Sequence, residues 1–409
     1  MSKKYTSTKK GFDYSTLSEE VSRCLLCLDA PCSKMCPAST DPAKFIRSVR
    51  FKNLQGAAET IRENNALGSI CARVCPTEKY CQLGCTRSGI DRPIEIGLIQ
   101  QYVTDFEREK GMEILKVSSS KDEKIAIVGS GPAGLESAAL LRMKGYSVDI
   151  YEKESKLGGY LRVIPEYRLP SSIIDYEIKR ITDLGVNVKL KKEVGKDISL
   201  ADLKKKYDAV IVAVGYSASK TLPMFKGDKV MSATAFLREV KAKKGKYEVP
   251  DNVVVIGGGD VAMDVSTTLK KIGVTNVTDV IYEKNEELLA SKEELKYARD
   301  NNVSLIDGYK PTAYKDGVIT FKSRFIDATL KIKADLVILA VGQKIDNALS
   351  LPIVEKEVDD KNYRVKDSNV FAVGDITSGD KTVVYAVRKG KEVAFYVDKY
   401  LSSLQGGKK

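Results

Sequence analysis

The chain has 409 residues, 67 basic against 55 acidic, a formal charge of +12, and neither histidine nor tryptophan. Without histidine, serine-histidine triads and most catalytic zinc sites are excluded; because the two signs of charge are interspersed, a solvated lysine-rich surface is expected rather than a nucleic-acid-binding arm. A hydrophobic fraction of 43%, apolar runs no longer than strands and a polar start predict a cytoplasmic globular protein of roughly two or three domains, without signal peptide or membrane span.

Leu17, Val21 and Leu25 recur at helical spacing and predict a helix over 15–27, capped by Ser15 or Thr16. There follows Cys24-Leu-Leu-Cys27-Leu-Asp-Ala-Pro-Cys32-Ser-Lys-Met-Cys36-Pro37, and all eight cysteines lie between Cys24 and Cys85. In a cytoplasmic chain such clustering points to metal rather than disulfides. The run differs from the bacterial ferredoxin pattern in its central gap, and in that pattern the fourth cysteine ligates the other cluster. Cys24, Cys27 and Cys32 are accordingly read as ligands of one cluster, and Cys36 of a second. Pro42 opens helical stretches reaching about Asn65, and Cys71, Cys75, Cys81 and Cys85 form a second group. Two tetranuclear clusters need eight ligands, and counting offers Cys71 among them. A pair of structural zinc sites is the alternative, disfavoured by the two Cys-Pro junctions. An amphipathic helix around Ile94–Glu109 and a polar linker over 116–122 end this segment.

Lys124 to Val128 reads as a buried strand, Gly129-Ser-Gly131-Pro-Ala133-Gly134 as a tight turn, and Pro132 to Lys144 as a helix, before a strand over 148–151 that ends at Glu152. This is the order of a dinucleotide-binding unit. Gly129 allows the turn, Gly131 admits a pyrophosphate to the backbone N–H groups, Gly134 packs helix on strand, and Glu152 is placed to accept a ribose hydroxyl. Residues 157–170, punctuated by glycine and proline, form a loop before a helix over 171–184, and Asp208–Gly215 is a strand running into glycine.

The pattern then repeats. Asn252 to Ile256, Gly257-Gly-Gly259 and the helix from Asp260 are strand, turn and helix, with Ala262 at the third small position. Val277–Tyr282 is the next strand, ending at Glu283, and Asp335–Gly342 echoes Asp208–Gly215. Tyr314–Thr320 reads as a hairpin. Near the end Asn369–Gly374 is a strand meeting Asp375, followed by a helix over about 382–401 and a disordered tail from Gln405 to Lys409.

Two dinucleotide folds beside iron-sulfur clusters pose a routing problem: nicotinamide delivers two electrons as hydride, clusters carry one at a time, and a flavin does both. FAD is assigned to the first fold, because Gly374 and Asp375 return to complete it, and NAD(H) to the second, which reads as an insertion. Acidic Glu283 favours NAD over NADP, whose phosphate it would repel, while Lys284 beside it pulls the other way. The expected architecture is α/β, with two Rossmann-like domains behind an α-helical iron-sulfur domain. Its boundaries are 1–118 for the helical domain, 119–225 with 344–409 for the FAD domain, and 226–343 for the NAD domain. FAD-site candidates are Gly129, Gly131, Ala133, Gly134, Glu152, Lys153, Gly159, Leu161, Arg168, Gly215, Gly374, Asp375, Thr382 and Val383. NAD-site candidates are Gly257, Gly259, Asp260, Val261, Glu283, Lys284 and Gly342. No side-chain acid or base is needed for hydride transfer, so no catalytic residue is expected.

Arg23–Cys27, Asp29–Cys32, Gly56–Leu67, Cys71–Glu78, Gly257–Asp264 and Asp380–Val387 carry a resemblance spanning almost the whole chain. It resembles the family of small, flavin-containing glutamate synthase subunits and the matching half of dihydropyrimidine dehydrogenase, most nearly the electron-input subunits of its bacterial NAD-dependent form. The resemblance implies an FAD enzyme with two [4Fe-4S] clusters that oxidises NADH and passes electrons to a separate barrel subunit. That partner carries FMN, further clusters and the site where uracil or thymine is reduced, or the reverse. It also implies a different eighth ligand: the family's Pro-Ile-x-Ile-Gly-x-x-Gln context is met at Pro93 to Gln100. Gln100 then joins Cys36, Cys75 and Cys81, while Cys85 joins Cys24, Cys27 and Cys32. Alternatives are a glutamate synthase small subunit, a ferredoxin-linked electron-transfer subunit, or a redox-sensing module without turnover.

Overall fold

In the computed structural model, residues 3–6, 11–345, 358–359, 361–366 and 368–406 are described. They divide into two compact units, one holding 10–161, 171–215 and 346–409, the other 1–9, 162–170 and 216–345.

The first unit begins with short helices. Tyr14–Ser22 is capped by Asp13, whose carboxylate accepts from Thr16 N while the Thr16 side chain reaches back to the Asp13 N–H. The cap is therefore Asp13, not Ser15 or Thr16, because only Asp13 has its reciprocal partner at the third helical position. This helix also stops at Ser22, short of the expected 27. Leu26 sits at φ +50°, so the chain is already turning between Cys24 and Cys27, and Leu25 is left exposed. Helices Pro42–Arg50, Leu54–Asn64 and Ile96–Glu109 pack their apolar stripes into one core, in which Phe45, Ala57, Ile61, Ile99 and Val103 are sealed from water. Gly68–Val74 carries Cys71.

The same unit contains a five-stranded parallel sheet in the order Val370–Ala372, Ala209–Val212, Lys124–Val128, Ser147–Glu152, Asn187–Leu190. Ile125 to Val128 and Ala209–Val212 are buried on both faces, which explains their unbroken apolar composition. The last helix runs Val383–Gly406. It thus includes Gln405 and Gly406, read from sequence as tail, while residues 407–409 lie outside the described residues.

Arg62 ties helices to sheet. Its side chain is fully buried, donates from Nε to both Glu107 oxygens at 2.8 and 3.0 Å, and grips Glu177 through two nitrogens at 2.7 and 2.8 Å. Arg180 reaches Glu107 at 2.9 Å. Burial lowers an arginine's affinity for its proton, but the two carboxylates outweigh that and hold Arg62 firmly charged.

The second unit repeats the parallel sheet as Val230–Ser232, Leu336–Leu339, Asn252–Ile256, Asn276–Val280, Ser304–Ile306. The strand before Glu283 stops at Val280 rather than Tyr282. The segment after it is instead fastened by Gly308 N to Glu283 O and Tyr309 N to Ile281 O. A three-stranded antiparallel meander, Tyr309–Lys315, Val318–Ser323 and Thr329–Lys333, turns at Asp316 and Gly317, both with positive φ as a type I′ turn requires. Ala218–Ser219 pairs with Gln343–Lys344 where the chain enters and leaves this fold. Tyr5, on a short helix Lys3–Thr6, is buried within this unit edge-on to Tyr167. Among the described residues no helix is long and apolar enough to cross a membrane.

Removing Arg62 would leave two buried carboxylates to share Arg180 alone, which stands 2.9 Å from Glu107 and 3.4 Å from Glu177. Arg62→Met is expected to cost about 3–5 kcal/mol, read as a lowered denaturant midpoint; a loss under about 1 kcal/mol, the worth of an exposed pair, would contradict this reading.

Candidate functional site

Both glycine turns have the same construction. At Gly129, φ is +98° and a Cβ would stand 2.6 Å from the Ala213 carbonyl oxygen; at Gly257, φ is +156° and a Cβ would stand 2.5 Å from that of Ala340. In each sheet the first glycine therefore passes against the strand at the crossover point, where open α/β sheets bind ligands. A Cβ on Gly134 would stand 2.2 Å from the Gly129 carbonyl oxygen, so only glycine fits there, whereas Ala262 occupies the corresponding place in the second turn. Gly131 and Gly259 have nothing within 4 Å of a built Cβ. Each is the N-cap of a helix, Pro132–Met143 or Asp260–Ile272, that has no side-chain cap, so the positive end of each helix lies at the turn.

The acidic residues are held on the turns. Glu152 accepts from Ser130 N at 3.0 Å and from Glu154 N at 3.0 Å. Glu283 lies over the second turn, its Oε2 only 2.6 Å from a Cβ built on Gly258. Lys153 and Lys284 are exposed, and the Lys284 ammonium sits 4.1 Å from the Phe325 ring centre.

Around the first turn the fold gathers several candidates. Gly159, at φ +52°, packs so closely that its Cβ would stand 3.0 Å from Gly131 Cα, and Gly374 abuts Ala133. Gly215, at φ +61°, lies just beyond Ala213, and Leu161 is sealed in the core. The Gly374 carbonyl accepts from Lys389 Nζ at 3.1 Å; burial pushes the Asp375 carboxyl above its usual range, against the pull of Lys381 and Lys389. Thr382 and Val383 open the last helix. Arg168 is engaged elsewhere, by Asp264 at 2.7 Å and Glu294 at 2.9 Å within the second unit. Asp260 accepts from Ser291 N at 2.7 Å, Val261 is half-buried, and Gly342 lies near Lys220.

Cys24, Cys27, Cys32 and Cys85 line one hollow, together with Ile46, Ile94 and Ile96. Burial, reinforced by the neighbouring sulfurs, raises Cys24 and pushes Cys32 up to about 11. Ile94 N donates to Cys85 Sγ at 3.5 Å. Cys36, Cys71, Cys75 and Cys81 form the second group: burial raises Cys75 and Cys81 strongly and Cys71 to about 12, and their mutual repulsion adds to it. Thr40 N donates to Cys36 Sγ at 3.4 Å. Among the described residues no three Cys, Asp or Glu side chains converge closely enough to hold one metal ion; the first four thiols instead surround a hollow. Buried, mutually repelling sulfurs that receive N–H bonds fit a polynuclear cationic cluster. Gln100, 7% exposed, donates from Nε2 to Gly68 O at 2.7 Å, which fixes the direction of its amide oxygen; Cys71 has Asn65 as hydrogen-bond partner.

Among the contacts that tie the second cysteine group to the parallel-sheet part of the same unit, three were not legible in the sequence. Lys391 Nζ donates to Ala38 O at 2.6 Å, Ala66 N donates to Glu136 Oε2 at 3.1 Å, and Tyr80 Oη donates to Asp380 Oδ2 at 2.8 Å. Burial pushes Glu136 up to about 7, partly offset by the Ala66 N–H. The partners stand up to 353 residues apart, so no local pattern marks them.

Residues 1–112 match the family described as dihydropyrimidine dehydrogenase domain II, 4Fe-4S cluster, and 123–390 match pyridine nucleotide-disulphide oxidoreductase. The NAD-dependent dihydropyrimidine dehydrogenase subunit PreT of Escherichia coli O157:H7 is 50% identical over 386 residues, 94% of each chain. The chain belongs to this PreT family. A Salmonella typhi homolog is 49% identical over 395 residues, 96% of each chain. The chain is thus an oxidoreductase built of a 4Fe-4S domain and a pyridine nucleotide-disulphide oxidoreductase domain, and the expected α/β fold with an N-terminal iron-sulfur segment holds. Among solved structures, Mycobacterium tuberculosis FprA in complex with NADPH has a TM-score of 0.59 at 19% identity, over 70% of this chain and 86% of that one. Thioredoxin reductase from T. acidophilum has a TM-score of 0.55 at 20% identity, over 69% and 100%. These two likenesses concern the fold alone.

Because Gly131 borders open space, Gly131→Val is expected to keep the parent's circular dichroism and lose bound flavin. A variant that purifies with full flavin would show that this turn does not face the nucleotide.

Proposed function

We propose that the chain is the electron-input subunit of a dihydropyrimidine dehydrogenase: it oxidises NADH and passes electrons through FAD and two [4Fe-4S] clusters to a partner subunit. Support comes above all from one coincidence. The duplicated glycine turns and the two cysteine groups occur on a chain 50% identical, over 94% of its length, to a subunit of that enzyme. The partner proposed is the FMN and iron-sulfur barrel subunit that reduces uracil and thymine, in a cytoplasmic hetero-oligomer. The domain reading stays as the sequence has it: 1–118, 119–225 with 344–409, and 226–343.

FAD is assigned to the turn Gly129–Gly134 with Glu152, Gly159, Gly374, Asp375 and the start of the Val383–Gly406 helix. NAD(H) is assigned to Gly257–Val261 with Glu283 and Gly342. The flavin supplies the exchange between a two-electron hydride and single electrons. The chain's residues do the rest: Gly131 and Gly259 leave room for pyrophosphate, the helix N-termini oppose its charge, and Glu283 repels a 2′-phosphate. Cys24, Cys27, Cys32 and Cys85 are assigned to one cluster, and Cys36, Cys75, Cys81 and Gln100 to the other. The three ties at Ala38, Ala66 and Tyr80 favour the second group as the one nearer the flavin.

Purified protein is expected to be brown-yellow, to hold about eight irons, four per cluster, and to bleach with NADH. Colourless protein with stoichiometric zinc would sink the proposal. Gln100→Ala should lose one cluster's iron while Cys71→Ser keeps both; the reverse result assigns Cys71 as ligand instead. Glu283→Ser should raise the NADPH-to-NADH ratio of kcat/KM with an artificial dye as acceptor, and an unmoved ratio would remove Glu283 as the discriminator.

A further inference from the structure

We propose that Tyr80 is a positioning residue for electron transfer: it docks the Cys75–Cys81 loop on the segment that opens the last helix, and so holds the second cluster site at a fixed distance from the flavin site. This rests on the cofactor assignment above. Tyr80 immediately precedes Cys81 and is 7% exposed. Its hydroxyl donates to Asp380 at 2.8 Å and lies 3.3 Å from Thr382 Oγ1. Thr382 Oγ1 in turn accepts from Tyr385 N at 3.4 Å in the first turn of the helix. Lys79 reaches the same Asp380 oxygen at 3.0 Å. Thus the two residues before Cys81 both grip the three-residue stretch that leads into Val383.

The other two ties of this cysteine group, at Ala38 and Ala66, are made by the charged side chains of Lys391 and Glu136 to main-chain atoms. Of the three, Tyr80 alone joins the cysteine loop directly to Thr382. Without its hydroxyl that side would be held by Lys79 and Asp380, a half-exposed pair of the kind that contributes little. A tyrosine that merely filled the gap could do so with its ring, and phenylalanine would serve as well.

The role follows from electron counting. One NADH yields one hydride, which is equivalent to two electrons and one proton. The electrons leave singly, each adding one negative charge to a cluster, and the proton from the hydride goes to solvent. No bond forms or breaks at Tyr80. Tunnelling falls steeply with every gap between non-bonded groups, and the hydroxyl closes the gap between a residue bonded to Cys81 and Thr382.

The test uses the full chain with its cofactors, as Tyr80→Phe and Asp380→Asn. Both variants should keep parental iron and flavin content. In stopped-flow mixing with NADH, flavin bleaching should proceed at the parental rate while the following cluster bleaching slows several-fold. Amide hydrogen exchange over 77–82 and 380–385 should accelerate. A parental cluster phase in Tyr80→Phe overturns the proposal whatever the exchange does. Should the parent protein lack flavin or iron, the cofactor assignment falls and exchange decides the docking alone: acceleration supports it and parental exchange overturns it.

Discussion

The buried guanidinium of Arg62 is the interaction on which the first unit depends. A charge removed from water is tolerated only when it is paired and its hydrogen-bonding capacity filled. Here Glu107 and Glu177 do both, and the three belong to different helices, Leu54–Asn64, Ile96–Glu109 and Ser171–Asp183. The last of these belongs to the parallel-sheet part of the chain. Glu177 also accepts from Ser69 N at 3.2 Å, and Arg62 donates to Ala66 O at 2.9 Å. The helix that bears Cys71 and leads to Cys75 therefore takes its position from the same charge cluster. The cysteine segment is built into the sheet unit, not appended to it.

The two glycine turns differ in how they use the same plan. In the first, Glu152 is bound by Ser130 and Gly159 packs against the Gly131 backbone. In the second, Glu283 overhangs Gly258 and the surroundings are cationic and aromatic: Lys284 lies on Phe325, and Arg324 lies 3.9 Å from the Tyr282 ring centre.

Much of this was legible in the sequence where local chemistry decides the outcome. The paired strand-turn-helix patterns, the two cysteine groups and the Asp316–Gly317 hairpin each depend on residues close together in the chain. The helix around Leu17 was legible too, but its ends were not, because Asp13 competes as a cap and the turn at Leu26 interrupts the apolar period. The Arg62 cluster, the Tyr80 contact and the pairing of Arg168 with Asp264 and Glu294 could not be read. A charged residue on an amphipathic helix looks like surface until its partner, more than a hundred residues away in the case of Glu177, covers it.

The short ribbon of Ala218–Ser219 against Gln343–Lys344 marks where one fold is threaded through another. Its consequence lies in the order of synthesis. The strand Val370–Ala372, which completes the first sheet beside Ala209–Val212, leaves the ribosome only after the whole nested fold has been made. Until then the first sheet has an open edge, and the segment that meets Tyr80 does not yet exist. Domains fold largely as units during translation, and a folded insertion brings its two ends together, which shortens the effective loop that the last strand must close. The nested fold is thus made before its host's sheet can close, and the strand Val370–Ala372 completes that sheet last.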